Sequence, residues 1–96
     1  MNVSRKHLKI QGKVQGVGFR QNTQALAQKL GLRGWVKNTQ AGDVEVIVEG
    51  ENSKVSLFIE WCHEGPKHAV VSSVEILHSQ QADGYQFSDF TIYKTS

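Results

Sequence analysis

The sequence predicts an α+β sandwich: an antiparallel sheet of four to five strands with two helices on one face. Three observations carry that reading. Apolar and polar residues alternate in short segments rich in Val and Ile, the period of half-buried strands. Between them, two stretches change to the i, i+3, i+4 spacing of an amphipathic helix. The 96 residues suffice for one modest core, since typical domains run to about 100–150 residues, and residues 1–96 are read as a single domain.

The first strand is His7-Leu8-Lys9-Ile10-Gln11. Gly12 to Phe19 contains Gly12, Gly16 and Gly18 and reads as a loop. From Arg20 to Leu30 the pattern is helical: Phe19, Thr23, Leu26 and Leu30 share a face, with Ala25 and Ala27 beside them. Gly31 stands where a left-handed residue commonly closes a helix. Leu32–Asn38 is the second strand, Thr39–Gly42 a turn, and Asp43–Glu49, rich in β-branched side chains, the third. The short connection makes these two a hairpin, which Gly50 ends. Asn52 or Ser53 is suited to cap a second helix. Its Val55, Phe58, Ile59 and Cys62 form one apolar stripe that Leu57 and Trp61 widen, and Gly65-Pro66 stops it. Ala69–His78 is a fourth strand, Ser79–Tyr85 a polar loop, and Phe87–Tyr93 a short closing strand. The order β-α-β-β-α-β with a final strand is the split βαβ, ferredoxin-like plan.

Charge and cysteine usage exclude several classes. The net charge is +2 and the cations are scattered, unlike the one-sided basic stripe of a duplex binder. Their placement is uneven, however. Arg5, Lys6, Lys9, Lys13, Arg20, Lys29, Arg33 and Lys37 all precede the first acidic residue, Asp43, so the first half of the chain attracts anions. Cys62 is the only cysteine, which leaves no intramolecular disulfide, no cysteine-based zinc site and no paired-thiol metal chaperone. His7, His63, His68 and His78 lack metal-ligand spacing and read as surface or packing residues. Cys62, on the apolar stripe, reads as a small buried hydrophobe. Tyr85, Phe87, Phe90 and Tyr93 do not form the aromatic and basic pattern of an RNA-recognition module. No apolar run approaches the roughly 18 residues of a membrane span, and polar Asn2–Lys9 stands where a secretory leader would be apolar. A reduced, cytoplasmic setting is expected.

The stretch that points to chemistry is Gly12-Lys13-Val14-Gln15-Gly16-Val17-Gly18-Phe19-Arg20. Successive N–H groups in a glycine loop can converge on an anion. The helix start that follows adds unpaired N–H groups and the positive end of the macrodipole. Arg20 adds a charged fork that matches phosphate oxygens. A cation at a helix start is opposed by the dipole, which singles Arg20 out. The loop is not a Walker loop, since Gly-Lys-Ser/Thr is missing, nor a dinucleotide fingerprint, since the glycine spacing differs.

That segment resembles the first signature of the acylphosphatases. Gly34-Trp35-Val36-Lys37-Asn38, followed by Gly42, Val44 and Gly50, resembles the second. The resemblance covers essentially the whole chain and is sharpest from Gly12 to Gly50. It implies metal-free hydrolysis of the carboxyl–phosphate bond of small-molecule acyl phosphates, giving a carboxylate and inorganic phosphate with no cofactor. It implies that Gln15, Gly16, Val17, Gly18, Phe19 and Arg20 bind the phosphate and that Arg20 and Asn38 are catalytic. A monomer without nucleic-acid or membrane partners is expected.

The implied chemistry suits the residues present. A carboxylate is a weakly basic leaving group, so little general-acid help is needed, and phosphoryl transfer rests on positioning and charge stabilisation. Amides and Arg20 can supply these, while the Asn38 carboxamide can hold the attacking water. A non-catalytic phosphate or polyanion binder of the same fold is the alternative. It would keep the loop and the basic first half but would not need Asn38.

Overall fold

Alternation along the strands decides which face of the sheet receives the helices. The computed structural model describes residues 2–96. In β1 (Val3–Lys13), Leu8 and Ile10 are fully buried while His7 and Lys9 are half-buried. In β2 (Arg33–Asn38) and β3 (Val44–Gly50), Val36, Val44, Val46 and Val48 take the same inward face. They join Phe19 and Ala27 of α1 (Phe19–Lys29) and Val55, Phe58 and Cys62 of α2 (Asn52–Glu64) in one core. Both helices therefore cover one side of the sheet, as expected from their stripes. Gly31, at φ 71°, closes α1 in the left-handed conformation, its N–H donating to Gln28 O at 3.2 Å.

With β4 (Val70–Ala82) and β5 (Phe90–Ile92), the strand order is β4-β1-β3-β2-β5. The first four strands pair antiparallel, in the ferredoxin-like arrangement. The sheet as a whole is mixed, because β5 runs parallel to β2. The reason is the route between β4 and β5. Residues 83–89 do not turn back beside β4 but cross the end of the sheet to its opposite edge, where β2 points the same way as the returning chain. There Phe90 packs against Phe58, with ring centroids 6.0 Å apart.

Four local expectations are corrected. Neither Asn52 nor Ser53 caps α2. Glu51 is the N-cap, and Ser53 Oγ donates to the Glu51 carboxylate at 2.9 Å instead of to a helix amide. Leu57 does not widen the buried stripe. It lies two residues from Val55, about 200° around a helix, and is 51% exposed. Ser79 to Ala82 is not loop but the end of β4, pairing with Lys6 to Val3, and its polar character reflects an edge strand. Gly12 is not part of the loop. It lies within β1 at an irregularity in the β4 pairing, and a Cβ there would stand 2.1 Å from Val70 O.

The crossing segment is held by a buried carboxylate that sequence patterning does not single out. Glu49, at the end of β3, has no solvent exposure. It accepts hydrogen bonds from Arg5 Nε at 2.8 Å, from Gln86 N at 3.0 Å and from Phe87 N at 2.7 Å. Arg5 reaches on to Gly84 O at 3.1 Å, and the Arg33 guanidinium sits 3.8 Å over the Tyr85 ring. An arginine on each neighbouring strand, in register with Glu49, thus fastens the return path to β5. Glu49→Ala leaves buried donors without acceptors and should lower the unfolding free energy by about 3 kcal/mol. Urea denaturation measures this, and a loss below about 1 kcal/mol would show that the crossing segment is held by other contacts.

Candidate active site

The opposite end of the sheet, where β1 and β2 finish, opens into a cavity of about 270 Å³ lined by Val14, Gly16, Gly18, Phe19, Arg20, Gln21 and Asn38. Pockets for larger ligands run from about 300 to 1,000 Å³, so this one suits a small anion. The loop between β1 and α1 builds one wall. Gly16 and Gly18 have φ of 73° and 76°, a left-handed region that favours glycine. Gly18 is itself the N-cap of α1 and brings no side-chain cap. The first backbone bond of the helix runs from Asn22 N to Gly18 O at 3.1 Å. The N–H groups of Phe19, Arg20 and Gln21 therefore lack helical acceptors at the cavity, and the first turn of α1 carries no acidic residue.

Arg20 is half-buried at this helix start, with no ion-pair partner among the described residues. Asn38, the last residue of β2, is 7% exposed, and its Oδ1 is buried without a hydrogen-bond partner. Ser4 Oγ and Thr23 Oγ1 are also buried and unpartnered, but only Asn38 belongs to the cavity wall. An unsatisfied buried acceptor costs about 1–3 kcal/mol, and on a residue that lines the same cavity as an unpaired arginine it points to a place where a ligand or water completes the bonding. No carboxylate, imidazole or thiol is among the lining residues.

Of the residues anticipated from the sequence, Gly16, Gly18, Phe19, Arg20 and Asn38 meet at this cavity. Val17 is half-buried and packs against the core. The Gln15 side chain turns away, donating to Thr39 O at 2.8 Å and Asp43 O at 2.9 Å. Val14 and Gln21 line the cavity without having been anticipated. The signal for Gln21 is its place in the first turn of α1, and that for Val14 its place within the Gly12–Arg20 motif. Burial pushes the Cys62 thiol far up, which removes it as a nucleophile. Among the described residues no group of His, Cys, Asp and Glu is arranged to hold a metal ion. No described helix is long and apolar enough to cross a membrane.

Comparison with known proteins points one way. The acylphosphatase family model matches residues 6–92. An acylphosphatase of Marinobacter nauticus is 44% identical over 90 residues, which span 94% of this chain and 96% of that one. The structure of an acylphosphatase from Coxiella burnetii superimposes with a TM-score of 0.85 at 39% identity, covering 96% of this chain and 94% of the other. The Bacillus subtilis acylphosphatase crystal structure superimposes with a TM-score of 0.81 at 32% identity, covering 97% and 99%.

The glycines separate fold from site. A Cβ at Gly16 would meet nothing within 4 Å, whereas one at Gly12 would collide with the β4 backbone. Gly16→Ala should cost about 1–2 kcal/mol of stability from its left-handed φ alone and weaken inhibition by inorganic phosphate. Gly12→Ala should destabilise by more than that and leave phosphate affinity of the folded fraction unchanged. Urea titration together with phosphate inhibition constants tests the pair; the reverse pattern would move the anion-binding role to Gly12.

Proposed function

The chain belongs to the acylphosphatase family, and on that premise we propose that the Gln15–Arg20 loop binds the phosphate of its substrate while Arg20 and Asn38 carry its hydrolysis. The enzyme is an acylphosphatase: it cleaves the carboxyl–phosphate bond of acyl phosphates. In the proposed arrangement the phosphoryl oxygens lie against the amides of Gly16 to Gln21 and the Arg20 guanidinium. These donors neutralise charge that spreads over the equatorial oxygens as the bond breaks.

Asn38 holds the water. Its Oδ1 accepts one water hydrogen, and this aims the water lone pair at phosphorus, in line with the departing carboxylate. The new P–O bond forms as the acyl C–O–P linkage breaks on the phosphorus side. The electron pair leaves with the carboxylate, and the proton of the water passes to a phosphoryl oxygen. The substrate thereby serves as its own base, in keeping with a cavity lined by no titratable acid or imidazole.

The observation that carries the assignment is the buried, unpartnered Oδ1 of Asn38, a residue that lines the same cavity as the unpaired Arg20. A mere phosphate binder has no use for that acceptor, which would repel phosphate oxygens. The same reading gives a single cytoplasmic domain over residues 1–96, acting as a monomer without nucleic acid.

Hydrolysis of benzoyl phosphate, followed by absorbance, tests the roles. Arg20→Ala should lower kcat about 1,000-fold or more and weaken phosphate inhibition, as loss of a charged transition-state donor does. Asn38→Ala should lower kcat about 100-fold or more and leave the phosphate inhibition constant within a factor of about three. Full activity in either variant would remove that residue from the mechanism.

A further inference from the structure

Asn38 lines the cavity and its Oδ1 is buried without a partner, so the aim of its side chain depends on how firmly its backbone is held. On one side it is held by the ladder, paired with Val44 in β3. On the other, the chain enters the turn to β3 at the next residue, Thr39. That turn is closed by Thr39 N donating to Asp43 O at 2.9 Å, Gly42 N to Thr39 O at 3.1 Å and Asp43 N to Thr39 Oγ1 at 3.2 Å.

The Gln15 carboxamide adds the remaining two bonds. Its Nε2 donates to Thr39 O at 2.8 Å and to Asp43 O at 2.9 Å. Both partners are carbonyls and accept only, so the amide must present its NH₂ to them. Each carbonyl then receives a second hydrogen bond besides that from the turn itself, filling both lone pairs. Gln15 precedes Gly16 of the cavity wall. Its side chain consequently ties the anion loop to the turn one residue beyond Asn38, across 24 and 28 residues of sequence.

We propose that Gln15 is a positioning residue. Its side chain does not bind phosphate but sets the distance between the anion loop and Asn38, and so the line from the held water to phosphorus. The inference rests on the assignment of Asn38 as the water-holding residue. Small displacements of a reacting group are costly in rate, while binding of a phosphate already cradled by amides and Arg20 is little altered.

The test is Gln15→Met, which keeps the length of the side chain and removes the donors, made in the wild-type and Asn38→Ala backgrounds and assayed with benzoyl phosphate. Circular dichroism sets a temperature at which every variant is folded. In the wild-type background kcat should fall at least tenfold, with the inhibition constant for inorganic phosphate within a factor of about three. In the Asn38→Ala background the same substitution should change the residual kcat less than about twofold, because nothing is left to aim. Gln15→Glu, which sets an acceptor against both carbonyls, should be worse than Gln15→Met. Three results would overturn the proposal: an unchanged kcat, a phosphate constant that rises in step with the loss of kcat, or a full tenfold loss persisting without Asn38. Full activity of Asn38→Ala alone would instead sink the underlying assignment of Asn38, a separate outcome.

Discussion

A guanidinium without an anion and an amide oxygen without a donor belong to residues that line one cavity at one end of a five-stranded sheet, and much of the molecule exists to keep them so. Left alone, each would find a protein partner or turn to water. Asn38 Oδ1 has no protein donor, and its largely buried side chain ends β2, an interior strand between β3 and β5. Arg20 is denied a carboxylate because the first turn of α1 has none. The resulting deficit of bonding is a few kcal/mol at most. The core of fully buried Val, Leu, Ile and Phe side chains behind the site is ample to sustain it.

The two ends of the sheet divide the labour. At one end Glu49 satisfies every donor brought to it, fixing the path of residues 83–89 and delivering β5 to the edge of β2. At the other, donors and acceptors are left open. β2 links them, since Arg33 at its start joins the Glu49 cluster and Asn38 at its end belongs to the cavity. β5 and the chain beyond brace it: Tyr93 N donates to Val36 O at 2.9 Å and Ser96 N to Asn38 O at 3.3 Å. The saturated end stiffens the strand whose unsaturated end carries the proposed water-holding residue.

What could be read from the sequence follows the range of the interactions involved. The helices and the hairpin depend on spacing within a dozen residues, and Gly16, Gly18 and Arg20 sit in one short motif, so local pattern and family resemblance reach them. Gln15 is expected in the phosphate loop from its place in the motif, which says nothing of where its side chain goes. Its actual partners are backbone carbonyls 24 and 28 residues away, which no local pattern encodes. Glu49 looks like the polar member of an alternating strand, and only the register that brings Arg5 and Arg33 beside it turns it into a buried anchor. The parallel β5 was illegible for a similar reason: its direction depends on a crossing route set by that same carboxylate. Gly12 reads as loop because glycine suits both loops and close strand packing, and sequence alone does not separate the two.

The choice of an amide at position 38 also has a physical logic. A carboxylate there would have the same shape and would hold water at least as well. In the proposed arrangement it would also face a phosphate dianion, and like charges about 4 Å apart repel by roughly 4 kcal/mol per unit pair at an effective dielectric constant near 20. Much of the attraction supplied by Arg20 would be cancelled. Asn38 keeps the acceptor and discards the charge. The deficit that remains, a water made less nucleophilic than one beside a base, matters little when the leaving group is a carboxylate that departs readily. A substrate with a poor leaving group would need the acid or base this cavity lacks, so the same missing groups that suit acyl phosphates disfavour ordinary phosphate esters.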